Sequence, residues 1–122
     1  MAAIPTLDLD ARQGSRFLRT ITLKDGAGTV IPITGWTVRM QVRAVADDVA
    51  TLLDISTATT GISITNGAGG VFTIDIPATT LAGIAASDQG YAYDLEVVPA
   101  GVEANAYGLF GGKFRVAREV TR

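Results

Sequence analysis

The sequence has 122 residues, which is a typical length for one domain and too short for two separate hydrophobic cores. Hydrophobic residues make up 48% of it and charged residues 18%, so a core can form although charges are sparser than the roughly 25% of an average soluble domain. Cysteine and histidine are both absent, which excludes disulfides, thiol nucleophiles, serine–histidine triads and ordinary zinc sites. The net charge of -2 gives no support for nucleic-acid binding through bulk charge.

Membrane and export signals are not indicated by the sequence. No apolar run approaches the ~18 residues of a transmembrane helix, and the opening MAAIPTLDLD has acids where a signal peptide has a basic start. We therefore expect a protein that is made and folded in a cytoplasm and does not bind a membrane.

The N-terminal part of the chain predicts strands, because its apolar residues recur at every second position. Leu7, Leu9 and Ala11 alternate with two aspartates. The segment 15–24 places three apolar side chains on one face, but it places Arg19 there as well. Arg19 is therefore expected to lie near an end of the strand or near an edge of the sheet.

The clearest alternation is the segment GWTVRMQVR, which predicts a half-buried strand with one apolar and one polar face. The apolar face consists of Trp36, Val38, Met40 and Val42, and the polar face consists of Thr37, Arg39, Gln41 and Arg43. Asp25-Gly26 before it and Asn66-Gly67 after it are pairs that favour tight turns, so they predict hairpins or short loops.

The second half predicts three further strands and one helix. Alternating apolar residues precede and follow the turn NGAGG, and Pro77 ends the second of these strands because it cannot donate to a ladder. PATTLAGIAASDQG favours a helix of at most two turns, capped by Thr79 or Thr80, which crosses between sheets and packs Leu81 and Ile84 over the core. GYAYDLEVV then alternates as cleanly as the tryptophan strand.

The last predicted strand is YGLFGGKFRVAREV, in which Phe110, Phe114 and Val116 face inward. Gly111 and Gly112 inside it indicate a bulge or a close approach of backbone. About seven to eight short strands follow from these patterns, and they predict an all-β, immunoglobulin-like antiparallel sandwich with one short connecting helix. We expect residues 1–122 to form a single sandwich domain.

The motifs that suggest chemistry have simpler structural explanations. NGAGG and GLFGGK lack the following Ser or Thr and the helix of a phosphate-binding loop. Asp94 and Glu96 lie about 7 Å apart on one strand face, as a glycosidase pair could, but polar residues are normal on a solvated sheet face. Asp47-Asp48 lacks the spaced oxygen ligands of a calcium loop. We therefore predict no catalytic residue, cofactor or metal site.

Basic residues gather on two predicted strands. Arg39 and Arg43 share one face, and the C-terminal strand carries Lys113, Arg115, Arg118 and Arg122. Aromatic residues for base stacking are not interleaved on these faces, so we do not expect nucleic-acid binding. The arginines are expected to pair with acids on neighbouring strands or on a partner subunit.

Three segments along the chain together form a characteristic series of motifs. They are RQGSRFLRTITLKDGAGTVIPITGWTVRMQVR, YAYDLEV and GGKFRVAREVTR. Their distinctive residues are Gln13-Gly14, Asp25, Gly28, Ile33-Thr34-Gly35-Trp36, Arg43, Tyr93-Asp94-Leu95 and Val120-Thr121-Arg122. This arrangement resembles a family of small tailed-bacteriophage virion proteins with an immunoglobulin-like domain, and it is similar to the N-terminal domain of phage baseplate upper proteins. The resemblance covers nearly the whole chain. The long C-terminal extension that forms a receptor-binding fibre in such proteins has no counterpart in this sequence.

The resemblance implies a non-enzymatic structural role in the virion, after synthesis in the host bacterial cytoplasm. The implied partners are other phage structural proteins in a symmetric assembly of many copies, at the baseplate, tail or fibre attachment point. The absent extension leaves the position open, so a capsid decoration (cement) protein is an alternative. A carbohydrate-binding module that uses an exposed tyrosine such as Tyr107 is the alternative of another class, and an enzyme ranks third.

Docking is expected to involve the two ends of the chain, 1–6 and 118–122, as arms that become ordered against a partner. Their apolar residues and the exposed arginines are the predicted contacts. The predicted interaction residues are Ile4, Leu7, Arg39, Arg43, Arg115, Arg118, Val120 and Arg122.

Overall fold

Two β-sheets contain most of the chain in the computed structural model, which describes residues 6–45 and 48–118. Strands account for 54% and helices for 9% of the structure. The predicted all-β sandwich is therefore confirmed, together with its short helix.

The elements follow one another with short connections. In chain order the strands are β1 (Leu9–Arg12), β2 (Phe17–Thr22), β3 (Thr37–Arg43), β4 (Leu53–Ser56), β5 (Ile62–Asn66), β6 (Val71–Ile76), β7 (Ser87–Val98) and β8 (Tyr107–Ala117). The helix α1 (Ala78–Ala82) joins β6 to β7, and two 3₁₀ turns, Pro99–Gly101 and Glu103–Asn105, lie between β7 and β8. One sheet has the order β1-β8-β7-β3-β4 and the other has the order β2-β6-β5.

This strand order is that of an immunoglobulin-like sandwich, in which strands B, E and D form one sheet and C, F and G form the other. Here β2, β6 and β5 correspond to B, E and D, and β3, β7 and β8 correspond to C, F and G. One pair differs from the predicted antiparallel arrangement, because β1 runs parallel to β8 with Leu9 opposite Phe114. Since β1 pairs with β8 and not with β2, the sheet that contains β2 has three strands within the described residues.

The core lies between the sheets and is formed by alternate residues of the strands, as the sequence predicts. Val38, Met40 and Val42 of β3 are fully buried, and so are Phe72 and Ile74 of β6. Trp36, which was predicted on the same face as the β3 residues, is only half-buried because it lies before β3 begins.

Aspartate and asparagine side chains hold the predicted turns. The Oδ1 atom of Asp25 accepts hydrogen bonds from the amides of Ala27 and Thr29 at 2.9 and 3.0 Å, and Gly28 adopts a φ of 84° in the same turn. Asn66 likewise accepts from the amide of Gly69 at 3.1 Å. These contacts are the Asx-type turns that Asp-Gly and Asn-Gly sequences favour.

The helix α1 confirms one prediction and corrects another. It joins the two sheets and buries Leu81 against the core, and Ile84, two residues after the helix ends, is also buried there, as predicted. Neither Thr79 nor Thr80 caps it, since both lie inside the helix and Pro77 occupies the N-cap position without a side-chain hydrogen bond. Proline suits the start of a helix because it has no N–H that would be left unpaired.

The start of β2 and the position of the bulge in β8 differ from the sequence prediction. The strand predicted across 15–24 is limited to β2, because Ser15 lies in a turn where its amide bonds to the carbonyl of Arg12 at 3.1 Å. The register of β7 and β8 shifts beside Leu109, so the bulge is not at Gly111 or Gly112. Gly112 bears out the other predicted alternative, a close approach of backbone, because a Cβ atom there would stand 2.7 Å from Oδ1 of Asp8 and 3.0 Å from the carbonyl oxygen of Leu7.

The alternating core predicts a large difference between two leucines. Leu95 of β7 is fully buried and Leu18 of β2 is 55% exposed. Leu95→Ala should lower the free energy of unfolding by about 2–5 kcal/mol through lost burial and a cavity, whereas the matched control Leu18→Ala should change it by about 0.5 kcal/mol or less. Urea denaturation of the two variants measures this, and equal losses would contradict the assigned strand faces.

Candidate protein-interaction surface

The outer surface of the five-stranded sheet takes part in four of the five ion pairs among the described residues. We call it the charged face. It consists of Arg39, Gln41, Arg43, Asp54, Asp94, Glu96, Lys113, Arg115, Asp10, Arg12 and the adjoining Asp8. Three of the predicted interaction residues, Arg39, Arg43 and Arg115, therefore lie on the same side of the sandwich.

Arg39 joins a neighbouring strand to a loop. It stands opposite Glu96 in the β3–β7 ladder and forms an ion pair with it. Its two terminal nitrogens also donate to the carboxylate of Glu103, at 2.7 and 3.2 Å. These bonds to Glu103 raise the pKa of Arg39 and lower the pKa of Glu103. The predicted pairing of Arg39 with an acid on a neighbouring strand is confirmed.

Arg43 differs from that prediction, because its observed partners are not carboxylates. It donates to the backbone carbonyls of Asp48 and Val49 at 2.9 and 2.8 Å, and to the side-chain oxygen of Gln41 at 2.7 Å. A planar guanidinium with five donors suits several carbonyl oxygens at once. Arg43 therefore holds the connection between β3 and β4 against the charged face. Asp47 lies outside the described residues.

Arg115 helps to hold the start of the chain on the sheet. It bonds to Asp8 at 3.1 Å and lies 3.7 Å from the carboxylate of Asp10. Asp8 also accepts a hydrogen bond from the backbone amide of Lys113 at 3.0 Å, and this bond is the main reason that the pKa of Asp8 is lowered. The predicted pairing of Arg115 with acids is confirmed.

Leu7 is fixed by its backbone while its side chain faces outward. Its amide donates to the carbonyl of Gly111 at 2.8 Å, and its carbonyl accepts from the hydroxyl of Tyr93. Burial raises the pKa of Tyr93, and the negative charge of Asp8 adds to the effect, so this hydroxyl stays protonated as a donor. The Leu7 side chain remains 39% exposed, as expected for a residue left outside the core.

The remaining predicted contacts lie towards the chain ends. Arg118 is exposed directly after β8. Ile4, Val120 and Arg122 lie outside the described residues, so the predicted docking arms stay a prediction. The structure brings Arg39 and Arg43 together on β3, but it places Arg115 on β8, which β7 separates from β3.

Several exposed apolar side chains were not singled out from the sequence. Val45, Val49 and Leu52 are exposed around the connection from β3 to β4. An apolar residue in a loop carries no strand periodicity, so alternation could not have identified these three. Exposed apolar side chains beside a charged face are typical of protein contact surfaces, in which a few apolar anchors are surrounded by a polar rim.

The carboxylates that resemble a catalytic pair belong to this charged face. Glu96 pairs with Arg39, while burial raises the pKa of Asp94 and the charge of Glu96 raises it further. Asp94 borders two shallow depressions of about 270 and 300 Å³. Within residues 6–45 and 48–118, acidic residues form no group suited to a metal ion.

A wider groove lies where β7 and β8 meet the end of β3. Its volume is about 700 Å³, and its walls include Val45, Tyr91 and the side chains of Lys113 and Arg115. Apolar and basic groups therefore line the same groove.

Comparisons with protein families and with curated proteins found no match, so the functional inference depends on the fold, the surface and the sequence motifs. No protein-family model matches the chain, and no curated protein is significantly similar to it. Among the residues with a described structure, no helix has the length and apolar character needed to cross a bilayer.

The pKa shifts on the two sheets predict opposite effects for two Asp→Asn variants. The raised pKa of Asp94 makes its charged form less favourable in the folded chain than in the unfolded chain. Asp94→Asn should therefore raise the free energy of unfolding at neutral pH. The gain should disappear as the pH falls below the unfolded carboxyl pKa of about 3.9.

Asp75→Asn is the matched control with the opposite sign. Its hydrogen bonds to Arg16, at 2.8 and 2.7 Å, lower the pKa of Asp75. This variant should lower the free energy of unfolding at neutral pH, and the loss should vanish as the pH falls through the folded pKa of Asp75. Thermal unfolding between pH 3 and 7 measures both variants, and destabilisation by Asp94→Asn at neutral pH would contradict the sign given for Asp94.

Proposed function

We propose that this chain is a non-enzymatic structural protein of a tailed-bacteriophage virion, which docks in multiple copies as a baseplate, tail or fibre-attachment adaptor. The observation that carries the proposal is that residues of the family-like motifs form hydrogen bonds that fix turns and connect separate segments of the sandwich. The Nε2 of Gln13 donates to the carbonyl of Ile84 at 3.1 Å, Asp25 organises a turn, and Tyr93 bonds to Leu7. Some of the residues on which the resemblance rests therefore make contacts within the sandwich.

The surface supports a role in docking. On the charged face, Arg39, Arg43 and Arg115 are held by internal hydrogen bonds, so their side chains lose little conformational entropy when a partner binds. Leu7 and Leu52 remain exposed beside them and could serve as apolar anchors.

A carbohydrate-binding module is the second candidate, because one aromatic side chain is available for it. Tyr107 is 43% exposed and packs edge-on against Trp36, with ring centroids 6.5 Å apart. All other aromatic residues of the sequence, which lie in the described ranges, are buried or half-buried. One exposed ring is a small platform for a sugar, so docking remains the leading proposal.

Fractionation of particles produced by a phage whose genome encodes this chain tests the leading proposal. An antibody against the purified protein should detect the chain in intact virions at a fixed ratio to the major tail protein. After tails and capsids are separated, the chain should sediment with the tails. Sedimentation with capsids would favour the decoration alternative, and absence from particles would overturn the virion role.

A fluorescence titration separates the carbohydrate candidate from the docking role. Trp36 is the only tryptophan and lies next to Tyr107, so a sugar stacked on that tyrosine should change its emission. We expect no saturable change with bacterial surface glycans. A saturable change that Tyr107→Ala abolishes, with unchanged thermal unfolding, would favour glycan binding.

A further inference from the structure

The outer edge of β2 is the longest regular sheet edge of the sandwich. The amide of Leu23 donates to the carbonyl of Gly70, the residue just before β6 begins, at 2.8 Å. Because N–H and C=O directions alternate along a strand, the backbone groups of Leu18, Thr20 and Thr22 point away from β6. Within residues 6–45 and 48–118, no other segment bonds to these groups.

The other three edges are less suited to accept a strand. The edge strands β1 and β4 have four residues each. The edge strand β5 has five residues, and its register with β6 shifts between Ile64 and Asn66. β2 has six residues in continuous register. In an immunoglobulin-like fold, strand A pairs with the outer edge of the strand that corresponds to β2. Here that edge is open, because β1 pairs with β8.

Arg19 gives this edge a positive charge on its inward side. It stands opposite the fully buried Ile74, and its guanidinium lies 5.7 Å from the centre of the Phe17 ring. Among the described residues, no carboxylate lies within ion-pair distance of Arg19, whereas Arg16 at the start of the same segment pairs with Asp75 at 2.7 Å. An inward-pointing charge on an edge strand is a device that prevents unselective edge pairing.

Arg19 also lies at the opening between the two sheets. Its positive charge opposes the rise in the pKa of Tyr93, whose hydroxyl bonds to Leu7 just before β1. A strand added beside β2 would therefore cover this opening and lie against both Phe17 and Arg19.

We propose that the outer edge of β2 binds an extended segment of a neighbouring protein as an added strand, with an acidic side chain of that segment against Arg19. Strand addition to an open edge draws affinity from backbone hydrogen bonds and specificity from alternate side chains. The inference extends the proposed docking function, because it assigns the kind of partner segment that one edge accepts.

The charges of β2 disfavour a second copy of the same strand as the occupant. The segment 16–24 has three basic residues and no acidic residue. An antiparallel pair of β2 strands centred on Thr20 would place Arg16 opposite Lys24 of the second copy, and like charges opposite each other are destabilising. An acidic segment has the complementary charge.

Two synthetic peptides test the proposal with the full chain labelled with nitrogen-15. The peptides are Ac-TVTETVT-NH2 and Ac-TVTKTVT-NH2, which differ only in the central residue on the face that would meet Arg19. The glutamate peptide should slow hydrogen exchange at the amides of Leu18, Thr20 and Thr22. It should bind about tenfold more tightly than the lysine peptide, as one charge-assisted contact allows.

Three variants sharpen the test. Arg19→Glu should reverse the preference between the peptides, and Lys113→Glu, on the outer face of the other sheet, should leave it unchanged. Thr20→Pro removes an amide that points away from β6, so it should abolish binding while the core amides keep their chemical shifts. If Thr20→Pro does not fold, the reversal by Arg19→Glu still decides the question.

Three results would overturn the proposal. They are no protection of the three amides by either peptide, equal binding of both peptides, and amides that are already protected in the free chain. These results are independent of particle fractionation. A chain that sediments with tails but binds neither peptide would reject the β2 edge and keep the virion role, whereas peptide binding by a chain absent from particles would do the reverse.

Discussion

The two sheets share one apolar layer, and β3, β6 and β7 contribute every second side chain to it. Each large aliphatic or aromatic side chain that is fully buried there contributes about 1.5–3 kcal/mol relative to an exposed position. A slip of one residue in any of these strands would move its whole apolar set to the solvent side. The layer therefore determines the strand register and, through it, which polar residues form the charged face.

The charged face follows from that register. Arg39 meets Glu96 because the β3–β7 ladder places them opposite each other. The bonds to Glu103 and to the β3–β4 connection then extend this ladder into two loops. Exposed ion pairs add little to stability, typically ~0–1 kcal/mol. In the proposed docking role, this network would hold side chains in defined positions before a partner arrives.

The sequence was most informative where alternation was long and unbroken. The strands β3, β6 and β7 and the burial of Leu81 and Ile84 were predicted, because periodicity reports directly on which face is buried. β4 was not identified individually, since only Leu53 and Ile55 alternate with a polar residue there. The parallel pairing of β1 with β8 could not be predicted either, because periodicity shows that a strand exists but not which distant strand it meets. The helix cap was misassigned because Pro77 provides the start that Thr79 or Thr80 was expected to provide.

Prediction of the candidate surface was partial for similar reasons. The pairing of Arg39 and Arg115 with acids could be expected, because acidic and basic residues occur at alternate, outward-facing positions of the predicted strands. The bonds from Arg43 to backbone carbonyls could not, since loop geometry is not encoded in side-chain type. The open edge of β2 left one trace in the sequence. Arg19 interrupts an apolar face, and such an interruption is tolerated at an edge strand, where a long side chain can reach solvent.

The parallel pairing of β1 and β8 has a mechanical consequence. Because the two strands run in the same direction, tension that pulls the preceding and following segments of the chain apart acts along both strands in opposite senses. The backbone bonds between them, together with the contacts of Asp8 to Lys113 and Arg115, are then loaded in shear and share the force. Such a pair yields only when many bonds break together, so the first and last strands form a clamp against stretching.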